Sequence, residues 1–86
     1  MYKVKLTNAA QKGYKGLTEN KDRVNKLLDT LEVNPWPFHG FDLVKLKGLD
    51  NAYRVRIGKI RVKYQVREAE DVILVFYIGP REGAYD

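Results

Sequence analysis

The sequence contains no cysteine and a single histidine among its 86 residues. The absence of cysteine excludes a disulfide scaffold, a cysteine-ligated zinc site and a thiol nucleophile. One histidine cannot form a histidine-rich metal site or a ribonuclease site that needs two histidines. We therefore expect neither a metal ion nor a cofactor.

Long apolar runs are also missing. No stretch approaches the roughly 20 apolar residues that cross a bilayer. Residues 2–6 alternate between apolar and charged side chains, unlike the continuous apolar segment of a signal peptide. We expect a cytoplasmic protein without membrane contact. The length predicts one domain, residues 1–86.

Positive charge exceeds negative charge, with 16 Lys and Arg against 11 Asp and Glu and a net charge of +5. Residues 45–67 hold eight of the cations but only one acid, Asp50, while the other acids, Asp42 among them, lie elsewhere in the sequence. A small basic domain of this kind commonly binds an acidic partner, such as nucleic acid.

Two helices are predicted in the first half of the chain, after a strand over residues 2–6. The first helix is expected to be short, because Gly13 and Gly16 weaken and end it. Thr7 or Asn8 can cap its start with a side-chain oxygen.

The second helix has a clearer pattern. Apolar residues recur at positions i, i+3, i+4 and i+7, which is typical of a helix that packs one side on a core. These residues are Val24, Leu27, Leu28 and Leu31. Thr18 or Asn20 can cap the helix. It should end at Asn34, because a residue before proline is disfavoured in helical geometry.

Strands are predicted in the second half, after a rigid aromatic loop over residues 35–41. We expect this loop to seal one edge of the core, and its His39 to be structural rather than catalytic. The predicted strands are residues 43–47, 53–57, 60–66 and 72–78. The fold class is therefore α+β: an N-terminal strand, two helices, then a three- to four-stranded antiparallel sheet with the helices on one face.

The most informative segment is a hairpin whose two alternating runs flank Gly58 and Lys59. A two-residue loop that begins with glycine is typical of a type II′ turn, and its length determines the pairing of the strands. The predicted opposing pairs are Ile57 with Ile60, Arg56 with Arg61, Val55 with Val62, Arg54 with Lys63, and Tyr53 with Tyr64. The apolar side chains then share one face, and the four cations share the other.

Two interpretations of this cationic surface remain open. It can be an anion site, most simply for nucleic-acid phosphates, or a solvated outer face whose charge discourages aggregation. Three of the four cations are arginine, which favours the first interpretation, because a guanidinium binds phosphate oxygens with two parallel hydrogen bonds.

Several segments, and the order of the elements, resemble the RelE toxins of the RelE/ParE superfamily. The segments are residues 45–48 before residues 53–56, then residues 60–66, and residues 72–78 followed by residues 79–82, with Tyr85 near the end. The resemblance spans nearly the whole chain. It implies a toxin of a type II toxin–antitoxin system: a ribosome-dependent endoribonuclease that cleaves mRNA in the A site and is blocked by an acidic, RelB-like antitoxin.

The resemblance also implies site residues, matched position by position. The implied catalytic residues are Arg54, Arg56, Arg61, Arg81 and Tyr85. Arg56 and Arg61 would clamp the reacting phosphate, Arg81 would lie near the leaving group, and Tyr85 would stack on a base or orient the ribose. We expect Lys45, Lys47 and Lys63 to contact nucleic acid.

Arg54 and Arg56 stand where related toxins often have lysine, and arginine is not deprotonated in proteins. The identity of the general base is therefore unassigned, and three explanations fit the sequence. The ribosome supplies the base, charge and positioning alone accelerate the reaction, or the activity is weak or absent. Two alternative functions are a ParE-like toxin that inhibits DNA gyrase, and a basic RNA-binding module without catalysis.

Overall fold

A strand, two helices and four further strands follow one another in the computed structural model, which describes residues 1–80. The elements are β1 (Lys3–Leu6), α1 (Asn8–Lys15), α2 (Lys21–Val33), β2 (Asp42–Lys45), β3 (Ala52–Ile57), β4 (Ile60–Arg67) and β5 (Val72–Pro80), with a single 3₁₀ turn at Glu68–Glu70. Neither described helix is long and apolar enough to cross a membrane.

All five described strands form one sheet, in the order β1-β5-β4-β3-β2. The predicted α+β class is confirmed, but the predicted sheet of three to four antiparallel strands was too small. β1 joins it as a fifth strand, parallel to β5, with Lys3 beside Val72 and Leu6 beside Val75. β5 is therefore an interior strand, which explains why its sequence is apolar on both faces.

Both helices pack on the same face of the sheet and bury its apolar side chains. Ala10 of α1 and Val24, Leu27 and Leu31 of α2 are inaccessible to solvent. On the sheet side the buried side chains are Val55, Ile57, Ile60, Val62, Tyr64, Val66, Ile73, Val75 and Ile78. The opposite face of the sheet carries no described helix, and the hairpin cations lie there.

α1 begins as predicted, since Thr7 Oγ1 accepts a hydrogen bond of 3.1 Å from the amide of Ala10. Gly13 does more than weaken this helix. A Cβ at this position would lie 1.7 Å from the carbonyl oxygen of Ile78. Glycine therefore permits α1 to approach the backbone of β5 more closely than any other residue would.

α2 begins after Asn20 and ends at Val33, before Asn34, as predicted. Asn20 does not cap the helix with its side chain, however. It adopts a left-handed backbone with φ of 62°, and its side chain accepts no hydrogen bond from a backbone amide of the first turn. Its Oδ1 instead accepts a hydrogen bond of 3.3 Å from Arg23 Nη1. The expected stripe is confirmed, with Leu28 only partly buried at its margin.

The aromatic loop closes one edge of the core, as expected. Pro35 and Pro37 are buried, whereas Phe38 is 61% exposed. The hydroxyl of Tyr64 donates a hydrogen bond of 2.7 Å to the carbonyl of Pro35, which ties the loop to β4. Burial of this phenol, helped by the nearby Tyr53, raises the pKa of Tyr64.

Candidate nucleic-acid interface

The β3–β4 hairpin has the predicted register at every one of the five proposed pairs. Its turn begins at Gly58, whose φ of 59° matches the first turn position of type II′. Because side chains alternate along a strand, Arg54 and Arg56 share a face with the residues opposite them, Arg61 and Lys63. These four residues are referred to below as the cationic face.

Neighbouring strands extend the cationic face into two rows that run across the sheet. From β2 to β5, the first row is Asp42, Arg56, Arg61 and Gly79, and the second row is Val44, Arg54, Lys63 and Tyr77. Arg56 and Arg61 lie in the row nearer the turn, and Arg54 and Lys63 lie in the next. The four cations therefore occupy two adjacent cross-strand pairs.

An acid that sequence analysis placed elsewhere lies in the first row. Asp42 Oδ2 accepts a hydrogen bond of 2.8 Å from Arg56 Nε and is also 2.8 Å from Arg56 Nη2. The two residues are 14 positions apart and meet only because β2 pairs with β3. Asp42 partly compensates the charge of Arg56 and fixes the direction of its guanidinium.

Arg61 is only 6% exposed, in contrast to Arg56. A guanidinium keeps its charge in such surroundings, and electrostatic interactions there are stronger than in bulk water. A shallow cavity of about 510 Å³ lies at this end of the hairpin and is lined by Arg56, Gly58, Lys59, Arg61 and Pro80. Two guanidiniums thus border one concave surface, an arrangement suited to a tetrahedral oxyanion.

Tyr77 is a candidate residue that sequence analysis missed. The Nζ of Lys63 lies 5.2 Å from the centroid of its ring, and its hydroxyl donates a hydrogen bond to the carbonyl of Pro80. The ring beside a cation could stack on an RNA base. The sequence carried no signal for this pair, because a β-bulge between Lys63 and Tyr64 shifts the register of β4 on β5.

Other predicted site residues are not part of the cationic face. Lys45 lies opposite Tyr53, and so starts from the other face of the sheet, but it lines one cavity of about 350 Å³ with Lys47 and Arg54. Lys47 lies beyond the end of β2 and is exposed. The predictions for Arg81 and Tyr85 fall outside the described residues. His39 is exposed and lines a separate cavity.

The described residues contain no cluster of three or more histidine and acidic side chains that could hold a metal ion. The cationic face instead offers fixed positive charge and hydrogen-bond donors. These groups can bind phosphates and stabilise negative charge that develops during a reaction.

Comparisons with known proteins identify relatives over most of the chain. The family model described as ParE toxin of type II toxin-antitoxin system, parDE, matches residues 4–85. The protein named "Putative toxin RelE1" of Methanocaldococcus jannaschii is 47% identical over 66 residues, which cover 77% of this chain and 73% of that protein.

Solved structures with the same fold include two toxin–antitoxin complexes. A chain of the archaeal RelE-RelB complex from Pyrococcus horikoshii OT3 superimposes with a TM-score of 0.81 and 34% identity, covering 96% of this chain and 98% of that one. A chain of the intact E. coli RelBE complex gives a TM-score of 0.79 at 22% identity, covering 96% and 100%, and shows the shared fold.

Proposed function

This chain belongs to the RelE family of type II toxins, and we propose that it is an endoribonuclease that cleaves mRNA in the ribosomal A site and so inhibits translation. The observation that carries the proposal is the cationic face, where Arg54, Arg56, Arg61 and Lys63 are gathered by the hairpin register. Tyr77 beside Lys63 supplies an aromatic ring for a base.

The chemistry requires charge stabilisation more than it requires a metal. The ribose O2′ loses its proton and bonds to the adjacent phosphorus, while the bond from phosphorus to O5′ breaks and O5′ gains a proton. The products are a 2′,3′-cyclic phosphate and a 5′-hydroxyl end. Negative charge grows on the phosphate oxygens in the transition state, where Arg56 and Arg61 would hold them. Arg54 and Lys63 would bind a flanking phosphate.

Proton transfer from the 2′-hydroxyl requires a group other than the arginines. Arginine does not lose its proton in proteins, so Arg54 and Arg56 act by charge and position. A water molecule or a group of the ribosome then accepts the proton of the 2′-hydroxyl, in keeping with ribosome-dependent cleavage. By family resemblance, Arg81 serves the leaving oxygen, and Tyr85 stacks on a base or orients the ribose.

We further propose that an acidic, RelB-like antitoxin is the partner that silences the site. Similar chains occur in the RelE-RelB complex of Pyrococcus horikoshii OT3 and the RelBE complex of E. coli. An acidic, amphipathic segment could cover the cationic face, or add to β2, which is an edge strand of the sheet. Action on ribosomes would place the protein in the cytoplasm.

The proposal is tested by mapping 5′ ends of mRNA on translating ribosomes. Wild-type protein should create new ends within the A-site codon, and Arg61→Ala should lower their yield about 100-fold or more, because its guanidinium no longer stabilises the transition state. Arg56→Ala, at an exposed position, repeats the test without a buried substitution. Lys12→Ala, on α1, is the charge-matched control. Equal cleavage by Arg61→Ala, Arg56→Ala and wild type would refute the proposed site.

A ParE-like function is the second candidate, since the matching family model is described as ParE toxin. Inhibition of gyrase-catalysed supercoiling by the purified protein, with mRNA on ribosomes left intact, would select it. RNA binding without either activity would instead identify an RNA-binding module without catalysis.

A further inference from the structure

A second cavity, of about 460 Å³, lies where α2 and the aromatic loop meet the β2–β3 edge of the sheet. Its polar lining consists of Arg23, Lys26, Thr30, His39, Asp42 and Arg56. Arg23, Lys26 and Thr30 follow one stripe of α2, because residues three and four positions apart lie on the same side of a helix. We call this space the side cavity.

The side cavity has an excess of positive charge. Three cations, Arg23, Lys26 and Arg56, face one carboxylate, that of Asp42, which is already paired with Arg56. Among the described residues, neither Arg23 nor Lys26 has an ion-pair partner. Like charges on one cavity repel when the acids are too few to compensate them, and an anionic ligand would relieve that repulsion.

The side cavity is continuous with the cationic face. Arg56 lines both the side cavity and the shallow cavity beside Arg61, so the two cavities adjoin at this residue. A ligand with regularly spaced phosphates could therefore occupy both at once, turning around the β2 edge of the sheet. A single small anion would not need this continuity.

Ring surfaces in the side cavity favour a nucleotide over an acidic peptide. Phe41 is partly buried in its wall, and the exposed imidazole of His39 lies on the same lining. Rings next to cations suit a base joined to a phosphate, because bases stack on aromatic side chains while Arg and Lys bind the backbone. An acidic, amphipathic peptide would need separate residues to contact the rings and the cations, whereas one nucleotide supplies both groups.

We propose that the side cavity binds a nucleotide that flanks the cleavage site in the same single-stranded RNA, with Arg23 and Lys26 on its phosphate. The inference rests on the proposed function, since it extends the RNA path from the cationic face. Arg23 and Lys26 hold the substrate and take no part in the chemical step. Removing them should therefore weaken binding without slowing cleavage of bound RNA.

The test compares two double variants that remove the same charge. The side-cavity variant, Arg23→Ala with Lys26→Ala, removes two cations from the side cavity. The α1 variant, Lys12→Ala with Lys15→Ala, removes two exposed cations from α1. Each protein is titrated with a fluorescent single-stranded RNA oligonucleotide between about 50 and 200 mM salt. Cleavage of mRNA on programmed ribosomes is measured in parallel at saturating protein concentration.

The side-cavity variant should bind RNA about tenfold more weakly at low salt. The slope of log K against log salt should become less negative by about 0.7 for each phosphate that the variant no longer binds. Its cleavage rate at saturation should equal that of wild type. The α1 variant should change the slope little, because neither of its cations lines the side cavity or belongs to the cationic face. All four substituted positions are exposed, so equal melting temperatures are expected.

Two outcomes would overturn the inference. One is an RNA affinity and salt slope equal to those of the α1 variant. The other is unchanged RNA binding with weakened binding of an acidic antitoxin, which would make the side cavity a peptide site. If wild type binds RNA through the side cavity but cuts no mRNA on ribosomes, the side cavity is an RNA-binding site, and the proposed nuclease function fails together with the position of this nucleotide beside a cleavage site.

Discussion

Asp42 and Arg56 illustrate how one ion pair alters the interpretation of a charged surface. A half-exposed ion pair of this kind contributes about 0–1 kcal/mol to stability, so its main effect is on the site. The carboxylate holds the guanidinium of Arg56 by two of its nitrogens. It also lowers the net charge that a polyanion meets. In the proposed RNA path, Arg56 would therefore be a positioned phosphate ligand between the shallow cavity and the side cavity.

Tyr64 gives a prediction at the residue scale. Tyr64→Phe leaves the carbonyl of Pro35 without its donor, and should lower the free energy of unfolding by about 1–3 kcal/mol at neutral pH. Because burial raises the pKa of Tyr64 in the folded protein, the unfolded chain ionises first above about pH 10. Above that pH, ionisation of this group should lower the free energy of unfolding of wild type by about 1.4 kcal/mol per pH unit. The difference in free energy of unfolding between wild type and Tyr64→Phe should therefore narrow.

Urea unfolding of both proteins from pH 7 to pH 11 checks this expectation. Tyr2→Phe, at a partly buried tyrosine of the N-terminal segment, serves as the control for removal of a phenol elsewhere in the chain. If the difference in free energy of unfolding between Tyr64→Phe and wild type stays constant above pH 10, burial does not raise the pKa of Tyr64.

At the scale of elements, the close approach of α1 to β5 depends on Gly13. Alanine is favoured over glycine inside a helix by about 1 kcal/mol, yet Gly13→Ala would place a methyl group 1.7 Å from the carbonyl oxygen of Ile78. Separating the helix from the strand should lower the free energy of unfolding by about 2–4 kcal/mol. Chemical denaturation measures the change directly.

Gly16 provides the matched control for this prediction. A Cβ at Gly16 would meet its nearest neighbour, the carbonyl oxygen of Lys12, at 3.4 Å, an ordinary contact, and its φ of −83° suits alanine. Gly16→Ala should therefore leave stability within about 0.5 kcal/mol of wild type. Similar stabilities for the two alanine variants would mean that the helix–strand distance is not set by Gly13.

At the scale of the whole molecule, the net charge of +5 is less informative than its distribution. The helices cover one face of the sheet, and the cationic face occupies the other. Three or four phosphate contacts on single-stranded RNA predict a slope of log K against log salt of about −2 to −3. Asp42→Asn, which frees Arg56 from its partner, should raise RNA affinity and make the slope more negative by about 0.7.

Fluorescence anisotropy at several salt concentrations measures both slopes. Glu32→Gln, which removes an exposed acid at the end of α2, is the charge-matched control. Its RNA affinity and its salt slope should equal those of wild type. A slope close to zero for wild type would indicate that the cationic face does not bind RNA phosphates.

Local patterns in the amino-acid order were enough to establish the two helices, the hairpin register and the sharing of one face by four cations. Each depends on residues a few positions apart: the helical period, the alternation along a strand, and a turn of two residues. The resemblance to RelE toxins was likewise recognisable in the sequence, and the comparisons with relatives confirm it.

Contacts between distant segments had no such local signature and emerged from the packed fold alone. The place of β1 beside β5, the meeting of Asp42 with Arg56, the pairing of Lys63 with Tyr77, and the side cavity all depend on strand order. Strand order follows from how the helices and sheet bury their apolar faces together. A bulge at one residue is then sufficient to change which side chains meet across β4 and β5.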